Sequence, residues 1–291
     1  MTTSEISRDE AAPGRFRLGL PAWAFPGWSG RYFEDRPSRL ASYARVFDSV
    51  EGNTSFYRIP DARSIAAWAS AVAGSALRFS FKLPKTVTHE STPNLADLDA
   101  FLAAVTPLAP NLGPFLVQFP ARVSPAKLAA FEAVFERIAP FGSFAVEPRH
   151  PAFFEDPATL EPVLERFAAA RVTMDARSIH DGDLDHPEVR AARHEKPDVP
   201  VLDLTYNGLS LTRLVLHPDL VSNGPYLERW AVRTAERLAA GIDCVMMIHC
   251  PNNLRCPPLA RAFHERLRAQ PGMASLPALP PWPVTGQRSL W

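Results

Sequence analysis

The sequence has little of three things, and each shortage removes a class of protein. Net charge is the first: 31 basic residues meet 31 acidic ones, for a formal balance of +0, so no global field draws the chain to polyanions. Nucleic acid is therefore a disfavoured partner. Long apolar runs are the second, since none approaches the roughly 20 residues a membrane helix needs, and no membrane partner is expected. Cysteine is the third. Cys244, Cys250 and Cys256 are the whole set, odd and sparse, which suits a reducing compartment better than a disulfide framework. Residues 1–13 are polar and acidic, unlike a secretory signal, so a cytoplasmic location is expected. A Gly-rich phosphate loop, a nucleophile-elbow serine and a dinucleotide fingerprint are also missing.

What is present is a globular composition, 46% hydrophobic and 21% charged over 291 residues, enough for one large core. Eight β-like runs recur at 16–23, 48–55, 78–84, 114–120, 143–149, 171–177, 211–217 and 243–250. Amphipathic stretches with helical spacing lie between them, at 39–47, 62–72, 97–108, 125–138, 158–169, 226–239 and 259–267. Ser124-Pro125, Asp156-Pro157 and Asn223 before Pro225 supply capping side chains and prolines where helices should begin. Such alternation makes a parallel sheet, and eight units favour closure into a single α/β (β/α)8 TIM barrel. In residues 179–210 His, Asp, Arg and Pro interrupt every helical period, which predicts a long irregular loop between strands 6 and 7 with one short helix. The expected organisation is a flexible N-terminus (1–14), a barrel (15–270) and a proline-rich tail (271–291) draped over it or mobile.

In such barrels the carboxyl ends of the strands build the active site. Side chains alternate along each strand, so large apolar residues mark the helix side and the other parity points inward. That logic turns Glu51, Asn53 and Ser55 of the second run inward, Ser80 and Lys82 of the third, Leu116 and Gln118 of the fourth, and Glu147 and Arg149 of the fifth. It gives Thr173, Asp175 and Arg177 on the sixth, Arg213, Val215 and His217 on the seventh, and Met247 and His249 on the eighth. Trp23 is expected as an aromatic wall. Asn252, in the loop after the eighth run, is a candidate ligand grip.

Burying acids and bases near one axis is costly unless they pair or bind something. Glu51, Glu147 and Asp175 are matched by Lys82, Arg149 and Arg177, so no metal or other cofactor is expected; the set that would converge on a divalent ion is Glu51, Glu147, Asp175 and His249. The cations point to a small polar or anionic ligand carrying carboxylate or phosphate. Acid/base chemistry is the expected activity, with Glu51 and Glu147 as acid/base candidates, Lys82 and Arg149 as charge stabilisers, and Trp23, Tyr57 and Gln118 as substrate walls. A buried structural Glu147–Arg149 pair is the plainer alternative. Two other functions stay open: nucleic-acid or nucleotide binding, including metal-dependent phosphodiester hydrolysis, with Arg190, Arg193, Lys196 and Arg255 as a local basic rim, and ligand binding without catalysis. Cys250 and Cys256 fit no zinc spacing.

The run Val50-Glu51-Gly52-Asn53-Thr54-Ser55-Phe56-Tyr57-Arg58-Ile59-Pro60 resembles the signature of the YecE-like family, barrels catalogued as a domain of unknown function. Gly27-Trp28-Ser29-Gly30, Phe81-Lys82 with Thr88-His89, Val117-Gln118-Phe119-Pro120 and Ala145-Val146-Glu147-Pro148-Arg149-His150 follow in the family's order. The resemblance spans about residues 17–267. It implies a barrel whose pocket is lined by Glu51, Asn53, Tyr57, Lys82, His89, Gln118, Glu147, Arg149 and Asp175. Three features depart from the family pattern: Gly52 stands where a β-branched residue is usual, His249-Cys250-Pro251 replaces an aromatic form, and Arg213 precedes His217 by four residues where two are usual. That spacing keeps the parity of Arg213 but is expected to cost its reach.

Overall fold

Six of the eight β-like runs contain a strand, and those at 171–177 and 211–217 overlap one that starts one or two residues earlier. A computed structural model describes residues 12–283 except 182 and 195. It contains β1 (Phe16–Leu20), β2 (Ser49–Gly52), β3 (Arg78–Phe81), β4 (Phe115–Gln118), β5 (Phe144–Glu147), β6 (Ala170–Asp175), β7 (Leu209–Val215) and β8 (Asp243–His249). Neighbours pair in parallel in the order β3-β2-β1-β8-β7-β6-β5-β4. The two end strands then meet through parallel bridges Phe79↔Leu112 and Lys82↔Leu116, with Leu83 N–H donating to the Leu116 carbonyl at 3.1 Å. The sheet closes into the expected TIM barrel.

Alternation divides the core into two layers. Leu18, Val50, Phe79, Phe81, Phe115, Val117, Phe144 and Val146 face the helices in the large outer core. Leu116, Ala145, Ala170, Val172, Leu211, Val245 and Met247 fill the barrel itself. β1 contributes Gly19 to this interior because nothing larger fits: a Cβ there would lie 2.6 Å from the Ser49 carbonyl oxygen and 2.7 Å from Met247 Sδ. Gly19→Ala is therefore expected to destabilise the protein by about 1–3 kcal/mol through overpacking, measured by urea unfolding.

β6 corrects the expected parity. Ala170 and Val172 belong to the barrel interior, which turns Thr173 and Asp175 outward. Thr173 donates to the Leu202 carbonyl at 3.2 Å, and Asp175 accepts from Trp230 Nε1 at 2.8 Å. The apolar parity, Ala170, Val172 and Met174, faces the barrel, and the polar one, Arg171, Thr173 and Asp175, finds its partners outside it.

Local departures have equally local causes. The segment expected to be irregular holds one complete short helix, Pro187–Arg193, as expected, and the end of another, Arg177–His180, that starts just before it. Asp156 caps as expected, accepting from Ala158 N–H at 3.2 Å, whereas Ser124 makes no capping bond. Asn223 turns its amide instead to the His217 and Asp219 carbonyls at 2.8 and 2.7 Å. The tail packs as far as it is described: Leu276, Leu279 and Trp282 join the outer core, and the Arg261 guanidinium stacks 3.8 Å from the Trp282 ring. The expected N-terminal flexibility falls mostly on residues 1–11, and the end of the tail on 284–291, outside the described residues.

Candidate active site at the strand ends

The site is organised around a buried guanidinium. Arg213, from β7, donates through Nε and Nη2 to both oxygens of Glu51 on β2, at 2.9 and 2.8 Å, and through Nη1 to Glu147 on β5 at 2.6 Å. One side chain thus ties three strands across the barrel. His249 at the end of β8 lies 3.1 Å from the same Glu51, and Asn53 adds an N–H at 2.8 Å. Four hydrogen bonds therefore converge on the Glu51 carboxylate.

Electrostatics follow from this geometry. Burial pushes the Glu51 carboxyl up, but Arg213 and then His249 outweigh it and hold the group well below the usual carboxylate range. Burial likewise opposes ionisation of Glu147, and Arg213, Arg149 and Lys82 override it to leave a pKa of about 2. Arg213, opposed by burial and favoured by both glutamates, is pushed above the ordinary arginine value. Burial depresses His249 to about 4 despite Glu51, so its imidazole is neutral at pH 7 and donates its Nε2 proton to the carboxylate.

A second string of polar groups runs along the neighbouring strands. Arg149 donates through Nε to Glu147 at 3.0 Å and through Nη2 to Gln118 Oε1 at 2.9 Å. The Gln118 amide lies 3.5 Å from His89 Nε2, and His89 Nδ1 sits 2.9 Å from the Thr88 hydroxyl. Burial and the positive charge of Lys82 lower His89 to about 4. Lys82 places its ammonium 3.5 Å from the centre of the Phe56 ring. Burial lowers it to about 8, against the pull of Glu147.

Above these groups opens a cavity of about 540 Å³ whose lining includes five cationic side chains, Lys82, Lys85, Arg149, Lys196 and Arg213, and, among the described residues, no carboxylate. Glu51 and Glu147 lie beneath it as counter-charges. The size suits a small ligand. Lys196, which hangs into the cavity from the segment between β6 and β7, is lowered by burial and by Arg213.

Sequence reasoning is matched in part. Asn53, Tyr57, Lys82, His89, Gln118, Arg149 and His249 line the cavity, and Glu51 and Glu147 are bonded to its floor. Four expected residues are elsewhere. Trp23 packs edge-on against Trp68 and Phe79 at 5.0 and 5.8 Å, on the helix side. Asp175 is bound by Arg177 at 2.6 and 2.9 Å, and burial is outweighed by those bonds, which lower its pKa. His217 packs against His186, with ring centres 5.2 Å apart. Asn252 donates to Glu188 at 2.8 Å and faces an adjoining cavity. Among the described residues the set Glu51, Glu147, Asp175 and His249 does not converge: Arg213 separates the glutamates and Asp175 is outside the barrel. Lys85, at the start of the short helix Lys85–Thr88, was not among the expected ligand contacts, Lys196 was expected only in a basic rim for nucleic acid, and the reach of Arg213 had been put in doubt by its spacing.

The outward placement of Asp175 has a consequence. Asp175→Asn is expected to cost about 1–3 kcal/mol of stability through the weakened Trp230 and Arg177 bonds, with anion binding unchanged by calorimetry.

The family model described as "Protein of unknown function DUF72" matches residues 17–283. The chain belongs to this family. UPF0759 protein YecE of Escherichia coli strain K12 is 30% identical over 269 residues, spanning 90% of this chain and 97% of that protein. A DUF72 family protein from Enterococcus faecalis V583 superimposes with a TM-score of 0.65 at 19% identity, covering 88% of this chain and 98% of its own. Another, from Thermotoga maritima MSB8, gives 0.64 at 18% identity, with coverage of 87% and 99%. These two share the barrel fold. The Gly52 departure from the DUF72 pattern has a steric reason here, because a Cβ would meet the Phe81 ring at 2.3 Å. The wider Arg213–His217 spacing leaves the arginine in full contact with both glutamates.

Proposed function

We propose that the strand-end cavity binds a small molecule bearing a phosphate or carboxylate group and that the protein is an enzyme acting on it by proton transfer. The observation that carries this reading is the cavity's lining, with five cationic side chains and, among the described residues, no carboxylate. Glu51 and Glu147 serve it as fixed counter-ions. Their oxygens are engaged by Arg213, Arg149, Asn53 and His249, so in this reading the acid/base work passes to Lys82, which lines the cavity and pairs with no carboxylate among the described residues. A metal has no part in the reading, because the acidic residues are spent on arginines. A cytoplasmic location is supported by three buried, unpaired thiols.

Calorimetric titration with sulfate, an anion that does not itself titrate near neutrality, tests the binding half. Lys82, facing Glu147, Arg213, Arg149 and Glu51, has a pKa of about 8. An anion favours its charged form, so affinity is expected to be full below that value and to fall as pH rises through it. An affinity flat from pH 6 to about 9 would remove Lys82 from the binding set, and absence of binding would overturn the reading.

A further inference from the structure

Of the 31 basic residues in the chain four are lysines, Lys82, Lys85, Lys127 and Lys196, and three of those four line the one cavity. Everywhere else on the molecule, Lys127 apart, positive charge is supplied by arginine. Arginine holds anions as well as lysine does, or better, but its guanidinium cannot shed a proton in a protein. Lysine can, and a free amine is a nucleophile. The concentration of lysine at this pocket therefore points to amine chemistry there.

Among the three, Lys82 has the setting of a nucleophile. It projects inward from the end of β3, is 9% exposed, and rests against the Phe56 face at 3.5 Å. The carboxylates beneath it are taken up by Arg213 and Arg149, so no ion pair among the described residues ties its amine down. Arg149, Arg213 and Lys196 crowd the same cavity with positive charge. Lys85 is exposed at the rim. A pKa of about 8 leaves about a tenth of the amine unprotonated at neutral pH, against fewer than about one in a thousand for an ordinary lysine.

We propose that Lys82 captures, as an imine, the carbonyl carbon of an aldehyde or ketone that also bears a phosphate or carboxylate group. The Nζ lone pair adds to the carbonyl carbon as the C=O π electrons move to oxygen. The two amine protons leave with that oxygen as water, and a C=N bond remains. Protonated, the imine withdraws electrons from a bond on the adjacent carbon, and water later restores the amine and the carbonyl. Arg149 and Lys196 hold the anionic group meanwhile. This inference rests on the anion-binding reading above and adds a covalent step to it.

The test is reductive trapping on the full chain. Pyridoxal 5′-phosphate and glyoxylate, anionic aldehydes of the two kinds, are each incubated with the protein and reduced with borohydride, and the modified residue is located by peptide mass spectrometry. Lys82 is expected to be labelled about tenfold or more faster than the exposed Lys127. Excess inorganic phosphate should suppress the adduct, pyridoxal without its phosphate should label poorly, and Lys82→Arg should abolish the adduct while retaining sulfate binding. The probe that labels faster distinguishes a phosphate-bearing from a carboxylate-bearing substrate. Labelling spread over Lys85, Lys127 and Lys196 in order of exposure, with Lys82 untouched, would overturn the inference. If sulfate binds yet Lys82 stays unmodified, the covalent step fails and the anion pocket stands; if sulfate neither binds nor protects, the anion reading fails with it.

Discussion

Replacing Arg213 by methionine is expected to cost about 3–5 kcal/mol of folding stability, the loss typical of removing one partner from a buried ion pair. Methionine fills much of the same volume, so the loss is electrostatic. Glu51 and Glu147, 1% and 2% exposed, would each be left buried beside the other with their main counter-charge gone. The pH dependence gives this prediction a signature. In the unsubstituted protein both carboxyls sit below their ordinary values. They therefore contribute stability at neutral pH that is lost as pH falls from the ordinary carboxylate range, about 4.3, through the folded value of about 2 for Glu147. In Arg213→Met burial is no longer outweighed and the carboxyls titrate above their unfolded values. The sign reverses: the variant should gain stability, relative to the parent, as pH falls from 7 toward about 5. Urea unfolding at the two pH values measures both the loss and its reversal. A loss independent of pH would mean that packing, and not the charge triad, holds these strands together.

Arg149→Ala is expected to act on binding instead of folding. Arg149 is partly exposed and lines the cavity, and Glu147 keeps Arg213 when it is removed, so the stability cost should be about 1 kcal/mol or less. A charge-assisted hydrogen bond to an anion contributes about 1.5–3 kcal/mol. Sulfate affinity should therefore fall about 10- to 150-fold, read by calorimetry beside an unfolding curve that barely moves. The contrast between the two arginines separates frame from ligand contact. If Arg149→Ala unfolds the protein as readily as Arg213→Met, or leaves affinity unchanged, then Arg149 is a structural partner of Glu147 and nothing more.

Glu51, Lys82, Gln118, Glu147 and Arg149 were legible in the sequence because β2 to β5 put bulky Val and Phe on one parity, which fixes the other as inward. β6 offers a contrast that misleads. Ala170, Val172 and Met174 alternate with Arg171, Thr173 and Asp175, but here the apolar parity faces the barrel and the polar one meets Phe153, Leu202 and Trp230 outside it. Trp23, His217 and Asn252 fail for a different reason: each is taken up by a partner away from the cavity, Trp23 by Trp68 and Phe79 and Asn252 by Glu188. His217 is drawn aside when its backbone N–H meets Asn223 and Ser178 at 2.8 and 2.9 Å. Arg213 shows the opposite limit. Spacing to a histidine says little about the reach of a long side chain that finds two carboxylates across the barrel axis. Lys85 opens the short helix Lys85–Thr88 and Lys196 lies between β6 and β7, and only the closed barrel brings them to the same opening.

The most direct test of the anion pocket is crystallographic: crystals soaked in selenate, with anomalous scattering used to place the anion. The structure predicts a peak in the strand-end cavity within hydrogen-bonding reach of Arg149 and the Lys82 amine, lost in crystals of Arg149→Ala. Selenate bound elsewhere with that cavity empty, or a divalent cation taken up there in parallel soaks, would contradict it.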